Sequence, residues 1–279
     1  MRDKGEGEDQ QRTYRATPEP GPERPEPQAR EREFGDQLLL PVVRRVIGVA
    51  ALVSLAALTA FGLWGAPTDE VQGDAQRIMY LHVPSAWLAY LAFFVTAAAS
   101  ALFLWPRTRS SAMDRVAGAS AELGVMFTGL ALLLGSLWGR PVWGFWWAWD
   151  ARLVSTALLF FLFFGYLALR RIPGDPVGAA KRNAIAALIA FVDVPIVHFS
   201  VEWWRTLHQK ATVFNPELNA KIHGVMGLTL WIGTIAFTLV YVYLLDRRYR
   251  LAVLEEGQAE LELERAIAER RGVPTRVAS

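Results

Sequence analysis

The apolar residues of this chain are gathered into six blocks separated by polar segments. Each block is about 20 residues long, which as a helix matches the hydrocarbon core of a bilayer. None shows the strict apolar–polar alternation of a membrane barrel strand, so we predict helices. The fold class is therefore all-α: a polytopic membrane protein with six transmembrane helices. The blocks are Val46–Trp64, Pro84–Trp105, Ala121–Leu137, Leu153–Leu169, Ala184–Val201 and Gly224–Leu245.

Several residues inside or beside these blocks predict local features. Pro84 should keep Val83 out of helical geometry and suits the first turn of the second helix. Pro195 should kink the fifth helix in its outer third. Glu122 and Asp193 are ionisable groups near or inside spans. We expect each at interfacial depth or facing the bundle, in preference to the alternative of a proton relay.

Polar segments flank the membrane domain of residues 41–245. Residues 1–40 are rich in Glu, Arg, Pro, Gln and Gly, with few aliphatic side chains. Such a composition buries too little apolar surface to offset the entropy of ordering, which predicts a disordered tail; a docking tail is the alternative. Residues 246–279 predict a charged helix, either solvated or in contact with a partner. Its apolar residues recur near helical spacing: Leu251, Leu254, Leu261 and Ile267.

The distribution of Lys and Arg near the spans predicts the orientation of the chain. Twelve of them lie before the first block, after the sixth and in the second and fourth loops, against six in the other three loops. Cytoplasmic loops carry the excess of basic residues, so both termini should be cytoplasmic. The first, third and fifth loops should then face outward, to the periplasm of a bacterial cytoplasmic (inner) membrane.

Composition excludes some kinds of chemistry. The 279 residues include no cysteine, so there is no thiol nucleophile, disulfide or Fe–S cluster. The net charge of +2 is interpreted as an orientation signal, and we expect no nucleic-acid partner. The first apolar block starts only after a long polar segment, and no small-residue cleavage site follows it. Neither feature fits a signal peptide.

The third loop, residues 138–152, is the most unusual segment of the chain. It contains five of the 11 tryptophans. Tryptophan has a large apolar face and one N–H donor, and favours places that are apolar on one side and wet on the other. Five of them exceed what membrane anchoring needs. We therefore interpret the loop as a platform for a flat, apolar and partly polar ligand. These residues are Trp138, Trp143, Trp146, Trp147 and Trp149.

Histidines lie on the same predicted side as this loop. His82 directly precedes the second span, and His208 follows the fifth. If the segment after the fifth span is helical, Trp204 and His208 share a face. Trp203 and Trp204 would then lie at the membrane interface.

Imidazole chemistry narrows the choice of ligand. Neutral histidine binds iron, copper or zinc, but two histidines without cysteines make a poor zinc site. They suit a flat tetrapyrrole, whose ring supplies four nitrogens and leaves two axial positions. His198, deeper in the fifth span, is interpreted as a packed or hydrogen-bonded residue, and His223 receives no role.

Charged residues around the tryptophan loop offer further contacts. An arginine can pair with a propionate of such a ligand. The candidates are Arg77, Arg140, Arg152 and Arg205. Arg152 has the alternatives of pairing with Asp150 or of lying at lipid headgroups. Asp150 precedes the fourth span, and capping that helix is favoured over direct contact with the ligand.

Three motifs together resemble the CcmC (haem exporter protein C) branch of the tryptophan-rich, haem-handling membrane proteins. They are WGRPVWGFWWAWDARL at 138–153, MYLHVP at 79–84 and SVEWWRTLHQ at 200–209. The resemblance covers residues 40–245 with their six spans. The N-terminal extension departs from the family.

The resemblance implies that haem b binds to the tryptophan loop on the outer face, with His82 and His208 as axial ligands. It implies no enzymatic activity, but presentation of haem to the chaperone CcmE, which then binds it covalently. The ABC transporter of CcmA and CcmB and the small subunit CcmD would be partners. The cofactor-binding residues expected on this basis are His82, His208, Trp138, Trp143, Trp146, Trp147, Trp149, Asp150, Arg152, Trp203 and Trp204.

Three other functions remain open at this point. A transport subunit would need polar, cavity-lining residues at mid-depth, which are sparse in these spans. A larger type of haem lyase is disfavoured by the short chain. A purely structural assembly subunit would leave the histidines without a ligand.

Overall fold

The computed structural model describes residues 38–208, 222 and 224–271. These residues form seven α-helices: α1 Pro41–Ala60, α2 Met79–Leu104, α3 Ser111–Trp143, α4 Ala151–Arg170, α5 Pro176–Phe191, α6 Asp193–Trp203 and α7 Gly224–Arg270. A π-helical turn, Phe61–Gly65, extends α1, and a 3-10 turn, Asp74–Ile78, leads into α2. With α5 and α6 forming one span, six segments are long and apolar enough to cross a membrane. The predicted all-α fold with six spans is confirmed.

Helices α2 and α3 form the centre of the bundle. They are the most buried spans, whereas α1 lies at the edge with most of its surface exposed. Phe93 of α2 stacks on Phe163 of α4, with ring centroids 3.8 Å apart. The ring lies so close to Gly124 of α3 that a Cβ there would come within 2.4 Å of it. Small residues therefore let α2 and α3 approach closely, as their Ala- and Gly-rich sequences suggest.

The start of α2 differs from the sequence-based prediction. The helix begins at Met79, so His82 and Val83 are helical and Pro84 lies inside the helix. The expectation that Pro84 marks the start was wrong. Pro84 is the sixth residue of α2, so its missing N–H leaves the carbonyl of Tyr80 without the usual helical bond. Gly233 of α7 packs against Pro84 and beside that carbonyl oxygen.

The fifth span is interrupted close to Pro195, as predicted. The interruption falls at Val192, between α5 and α6, which is nearer the middle of the span than the predicted outer third. Pro195 has no N–H to donate to the carbonyl of Phe191, and its ring crowds that carbonyl. Asp193 begins α6 and is buried, with 5% of its surface exposed. It faces the bundle, as expected.

The end of the bundle at which α1 begins is rich in ion pairs. Arg248 of α7 binds Glu122 of α3, with Nη2 2.9 Å from Oε1. Glu122 thus also faces the bundle. Arg170 donates both terminal nitrogens to Asp114 at 2.8 Å. These pairs fasten α3 to α4 and to α7, which continues beyond Leu245 to Arg270 without a break. The predicted disordered tail lies, up to residue 37, outside the described residues.

Candidate functional site

A cavity lies at the opposite end of the bundle, between α2, α3, α4 and α6. The empty space within it is about 660 Å³ when the open solvent at its mouth is included. Apolar groups dominate its wall, and a few polar side chains point into it. The residues that line it are His82, Ala86, Ala89, Tyr90, Thr128, Ala131, Leu132, Gly135, Ser136, Trp143, Trp147, Arg152, Leu153, Thr156, Leu159, Val197 and His208.

His82 is held rigidly on α2. Its Nδ1 lies 2.9 Å from the carbonyl oxygen of Ala131 on α3. A carbonyl only accepts, so Nδ1 carries the hydrogen and Nε2 keeps its lone pair for a metal. The edge of the ring faces Trp138 with centroids 5.8 Å apart. A Cβ on Gly135 would stand 2.9 Å from Cε1 of His82, so glycine is required for this approach.

His208 lies on an irregular segment after α6. The helix ends at Trp203, and Trp204 is extended, with φ −127° and ψ 163°. The predicted helical face shared by Trp204 and His208 is therefore wrong. His208 Nδ1 instead lies 3.5 Å from Oδ2 of Asp150, a long contact, and its ring meets the edge of Trp143 at 5.1 Å.

Burial and the positive charge of Arg152 lower the pKa of His208, and Asp150 opposes this shift. His208 is therefore neutral at neutral pH. With Nδ1–H turned to a carboxylate, its Nε2 is also free to bind a metal.

The turn after α3 positions Asp150. Gly144 has φ +88°, a left-handed conformation that glycine adopts without strain, and ends α3 there. Arg140 donates to the Gly144 carbonyl oxygen. Asp150 Oδ1 then accepts the Leu153 N–H at 2.8 Å and caps α4, as predicted.

The other oxygen of Asp150 serves the His208 segment. Oδ2 accepts the N–H of Leu207 at 3.0 Å, besides its contact with the His208 ring. One carboxylate therefore caps α4 and also ties a distant segment to it.

The four candidate arginines occupy different environments. Arg152 lines the cavity, and its guanidinium forms no hydrogen bond or ion pair with another described residue. Arg152 and Asp150 do not form an ion pair with each other. Arg77 forms an ion pair with Asp74 and donates to the carbonyl oxygens of Gly62 and Ala66. Arg140 binds Gly144, and Arg205 is exposed.

The tryptophans divide into an inner and an outer set. Trp143 and Trp147 line the cavity, and the buried Nε1 of Trp147 finds no protein partner among the described residues. Trp138 donates to Gln72 at 2.9 Å beside His82. Trp138 and Trp143 lie in α3, so the loop proper is shorter than 138–152. The outer set is exposed and does not line the cavity: Trp146, Trp149, Trp203 and Trp204.

The remaining histidines lie elsewhere. His198 is exposed on α6 and packs edge-on against Tyr90 and Phe199, as a packed residue would. It does not line the cavity. His223 lies outside the described residues.

Sequence reasoning missed part of the cavity wall. Tyr90, Thr128 and Thr156 contribute polar groups, and Gly135 makes room for His82. Helical spacing could have found some of them, since Tyr90 lies eight residues after His82 on the same face of α2. Among the described residues no group of three His, Cys, Asp or Glu could hold a metal ion by itself.

Comparison with known proteins identifies the family of the chain. A family model described as Heme exporter protein C matches residues 33–264. The Heme exporter protein C of Bradyrhizobium diazoefficiens is 40% identical over 218 residues, covering 78% of this chain and 81% of its own. That of Haemophilus influenzae is 39% identical over 206 residues, covering 74% and 82%.

A mitochondrial relative extends the comparison. A protein of Marchantia polymorpha named as a putative cytochrome c biosynthesis ccmC-like mitochondrial protein is 34% identical over 186 residues, covering 67% of this chain and 78% of its own. The match to the family model, at residues 33–264, spans both histidine motifs and the tryptophan loop. The chain therefore belongs to the Heme exporter protein C (CcmC) family of multi-pass membrane proteins.

Proposed function

We propose that this protein holds haem b in the cavity and presents it to the chaperone CcmE during cytochrome c maturation. The observation that carries the proposal is that two histidines in one cavity have the same hydrogen-bonding arrangement. His82 and His208 line one cavity, and each turns Nδ1 to an oxygen acceptor and leaves Nε2 free. Hydrogen bonding of the second ring nitrogen is the usual arrangement of a metal-binding histidine.

Haem b supplies an iron with four equatorial nitrogens and two axial positions. His82 and His208 would fill both axial positions, which favours holding the cargo over oxygen chemistry. Trp143 and Trp147 provide aromatic faces for the macrocycle. No catalytic step is assigned to the protein, although holding haem in a fixed orientation would assist its covalent attachment to CcmE.

Two donors in the wall suit the carboxylates of haem. The guanidinium of Arg152 lines the cavity without an ion pair among the described residues, and the indole N–H of Trp147 is buried there without a protein partner among them. A buried donor without a partner is costly, so a carboxylate that accepts from both would stabilise the bound state. Arg152 is therefore our choice for a propionate partner.

The outer tryptophans are assigned to the rim of the site. Trp146, Trp149, Trp203 and Trp204 expose more than half of their surface at the same end of the bundle. They would contact membrane lipid, the open edge of haem, or CcmE. The ABC transporter subunits CcmA and CcmB and the small subunit CcmD are proposed partners on the strength of family membership.

Orientation follows from the charges. The ion-paired end of the bundle carries the basic loops, and the positive-inside rule supports a cytoplasmic position for this end in a bacterial inner membrane. The cavity lies at the other end and would open to the periplasm. Its lining from α2 and α4 ends at Tyr90 and Leu159, well short of the far end of either helix. This position favours presentation over the alternative function, passage of haem or another substrate across the bilayer.

The first test is the absorption spectrum of the protein purified with haem. A low-spin spectrum with two histidine ligands is expected in the parent and altered in His82→Ala and His208→Ala. His198→Ala is the matched control, because its ring lies outside the cavity. A haem-free parent, after expression with ample haem and the proposed partners, would contradict the proposal.

A further inference from the structure

The two histidines of the cavity are held in different ways. His82 is part of a continuous helix, and its ring is fixed by the Ala131 carbonyl and by contact with Gly135. His208 lies outside any helix. Among the described residues, its segment is tied to the bundle by the carboxylate of Asp150 and the edge of Trp143.

Asp150 divides its two oxygens between two tasks. Oδ1 caps α4 through Leu153, and Oδ2 receives the Leu207 N–H and faces His208. The side chain is largely buried, with 9% of its surface exposed. Breaking the Oδ2 contacts would remove these two ties of the His208 segment without affecting the Oδ1 cap of α4. Moving the His82 ring away from the cavity, in contrast, requires a change in the packing of α2 against α3.

We infer that Asp150 is a positioning residue that holds His208 toward the cavity, and that His208 is the axial ligand that leaves first when haem is handed on. His82 keeps its place throughout. The inference rests on the proposed function, because it concerns the order in which the two proposed ligands release the iron.

Asp150→Asn tests the positioning role. Asparagine has one acceptor oxygen, which still caps α4. Its amide nitrogen then faces the Leu207 N–H and the His208 Nδ1–H. All three groups are hydrogen-bond donors, so no hydrogen bond can form between them. The segment loses its tie, or the ring adopts the other tautomer and Nε2 carries the hydrogen. Either change weakens ligation by His208 and leaves His82 untouched.

Asp175→Asn is the matched control. Asp175 caps α5 by accepting the Gly178 N–H at 2.7 Å, at the other end of the bundle. It carries the same substitution at the same position of a helix. Loss of a cap or of a negative charge in general would therefore appear in both variants.

The readouts are the haem spectrum, the haem content and the rate at which carbon monoxide binds the reduced protein. Carbon monoxide binds low-spin haem only after one axial histidine dissociates. We expect Asp150→Asn to keep its haem, to gain high-spin character and to bind carbon monoxide at least about tenfold faster than the parent. Asp175→Asn should behave as the parent. His208→Ala should retain haem and bind carbon monoxide fastest, and His82→Ala should lose most of its haem.

Other outcomes overturn the inference. A parental spectrum and carbon monoxide rate in Asp150→Asn would show that Asp150 does not position His208. Retention of haem in His82→Ala and its loss in His208→Ala would reverse the order of release. Absence of haem from the parent would contradict the proposed function itself. That failure is distinguishable from failure of the inference, because it is seen in the protein without any substitution.

A second pair of variants covers the case in which Asp150→Asn gives little folded protein. Asp150→Ser keeps a favoured cap, but its single hydroxyl oxygen leaves Leu207 and His208 without a carboxylate. Asp175→Ser is its control. The same gain in the carbon monoxide rate, confined to Asp150→Ser, is required.

Discussion

Gly135→Ala is the substitution with the most direct prediction for the site. Its Cβ would stand 2.9 Å from Cε1 of His82. Carbon atoms in contact prefer about 3.5 Å or more, so the ring must move by at least about 0.6 Å or turn. The position of the ring is set by the hydrogen bond from Nδ1 to Ala131. A shift of this size therefore strains or breaks that bond and misdirects Nε2.

The cost sets the expected size of the effect. Losing one hydrogen bond costs about 1 kcal/mol net, and overpacking a well-filled site costs about 1–3 kcal/mol. If this cost falls on the geometry that binds the iron, the affinity for haem decreases about 5- to 150-fold. The helix itself should tolerate alanine, which has a higher helix propensity than glycine.

The assay is a haem titration of the haem-free protein in detergent, followed by absorption, with thermal unfolding of the same sample. Gly165→Ala is the matched control, because a Cβ at Gly165 of α4 meets nothing within 4 Å. We expect weaker binding and altered ligation in Gly135→Ala alone, with similar unfolding temperatures in both variants. Parental affinity and an unchanged low-spin spectrum in Gly135→Ala would refute the account of His82 given above.

Three further predictions concern other parts of the molecule. Arg152→Gln should lower the affinity for haem about tenfold but leave the affinity for haem dimethyl ester unchanged, with the exposed Arg205→Gln as control; an equal loss for both ligands would exclude a carboxylate contact. Asp246→Ala removes the acceptor of the Leu39 N–H and should reduce the free energy of unfolding by about 1–3 kcal/mol without changing the haem spectrum, as measured by thermal unfolding with and without haem. Trp146→Ala and Trp149→Ala should retain haem but transfer less of it to CcmE, each losing about 1 kcal/mol of aromatic contact; full transfer in both would leave these side chains as membrane anchors.

Much of the fold and part of the site follow from local sequence. Six apolar blocks define six spans, because bilayer thickness fixes the length of a helix that crosses it. The Pro195 kink and the Asp150 cap are also local, since each depends on backbone groups within four residues. His82, His208 and the tryptophan loop are visible as unusual residues near span ends. Sequence reasoning could therefore name candidates for the site without arranging them.

The arrangement depended on contacts between segments far apart in the chain. Local rules failed at Pro84, because α2 begins at Met79 and contains the proline, and at Trp204, where the chain leaves the helix before His208. The separation of inner from outer tryptophans depends on the end of α3 and the turn at Gly144.

The sequence by itself determined the all-α membrane fold, its six spans and the residue types that could bind haem. Only the tertiary structure decided that Ala131 orients His82, that Gly135 leaves room for its ring, and that Asp150 reaches across 58 residues to His208. The physical reason is that spans are specified by transfer into lipid, which each segment undergoes separately. The orientation of a ligand is specified by hydrogen bonds and close packing, which exist only after the spans have associated.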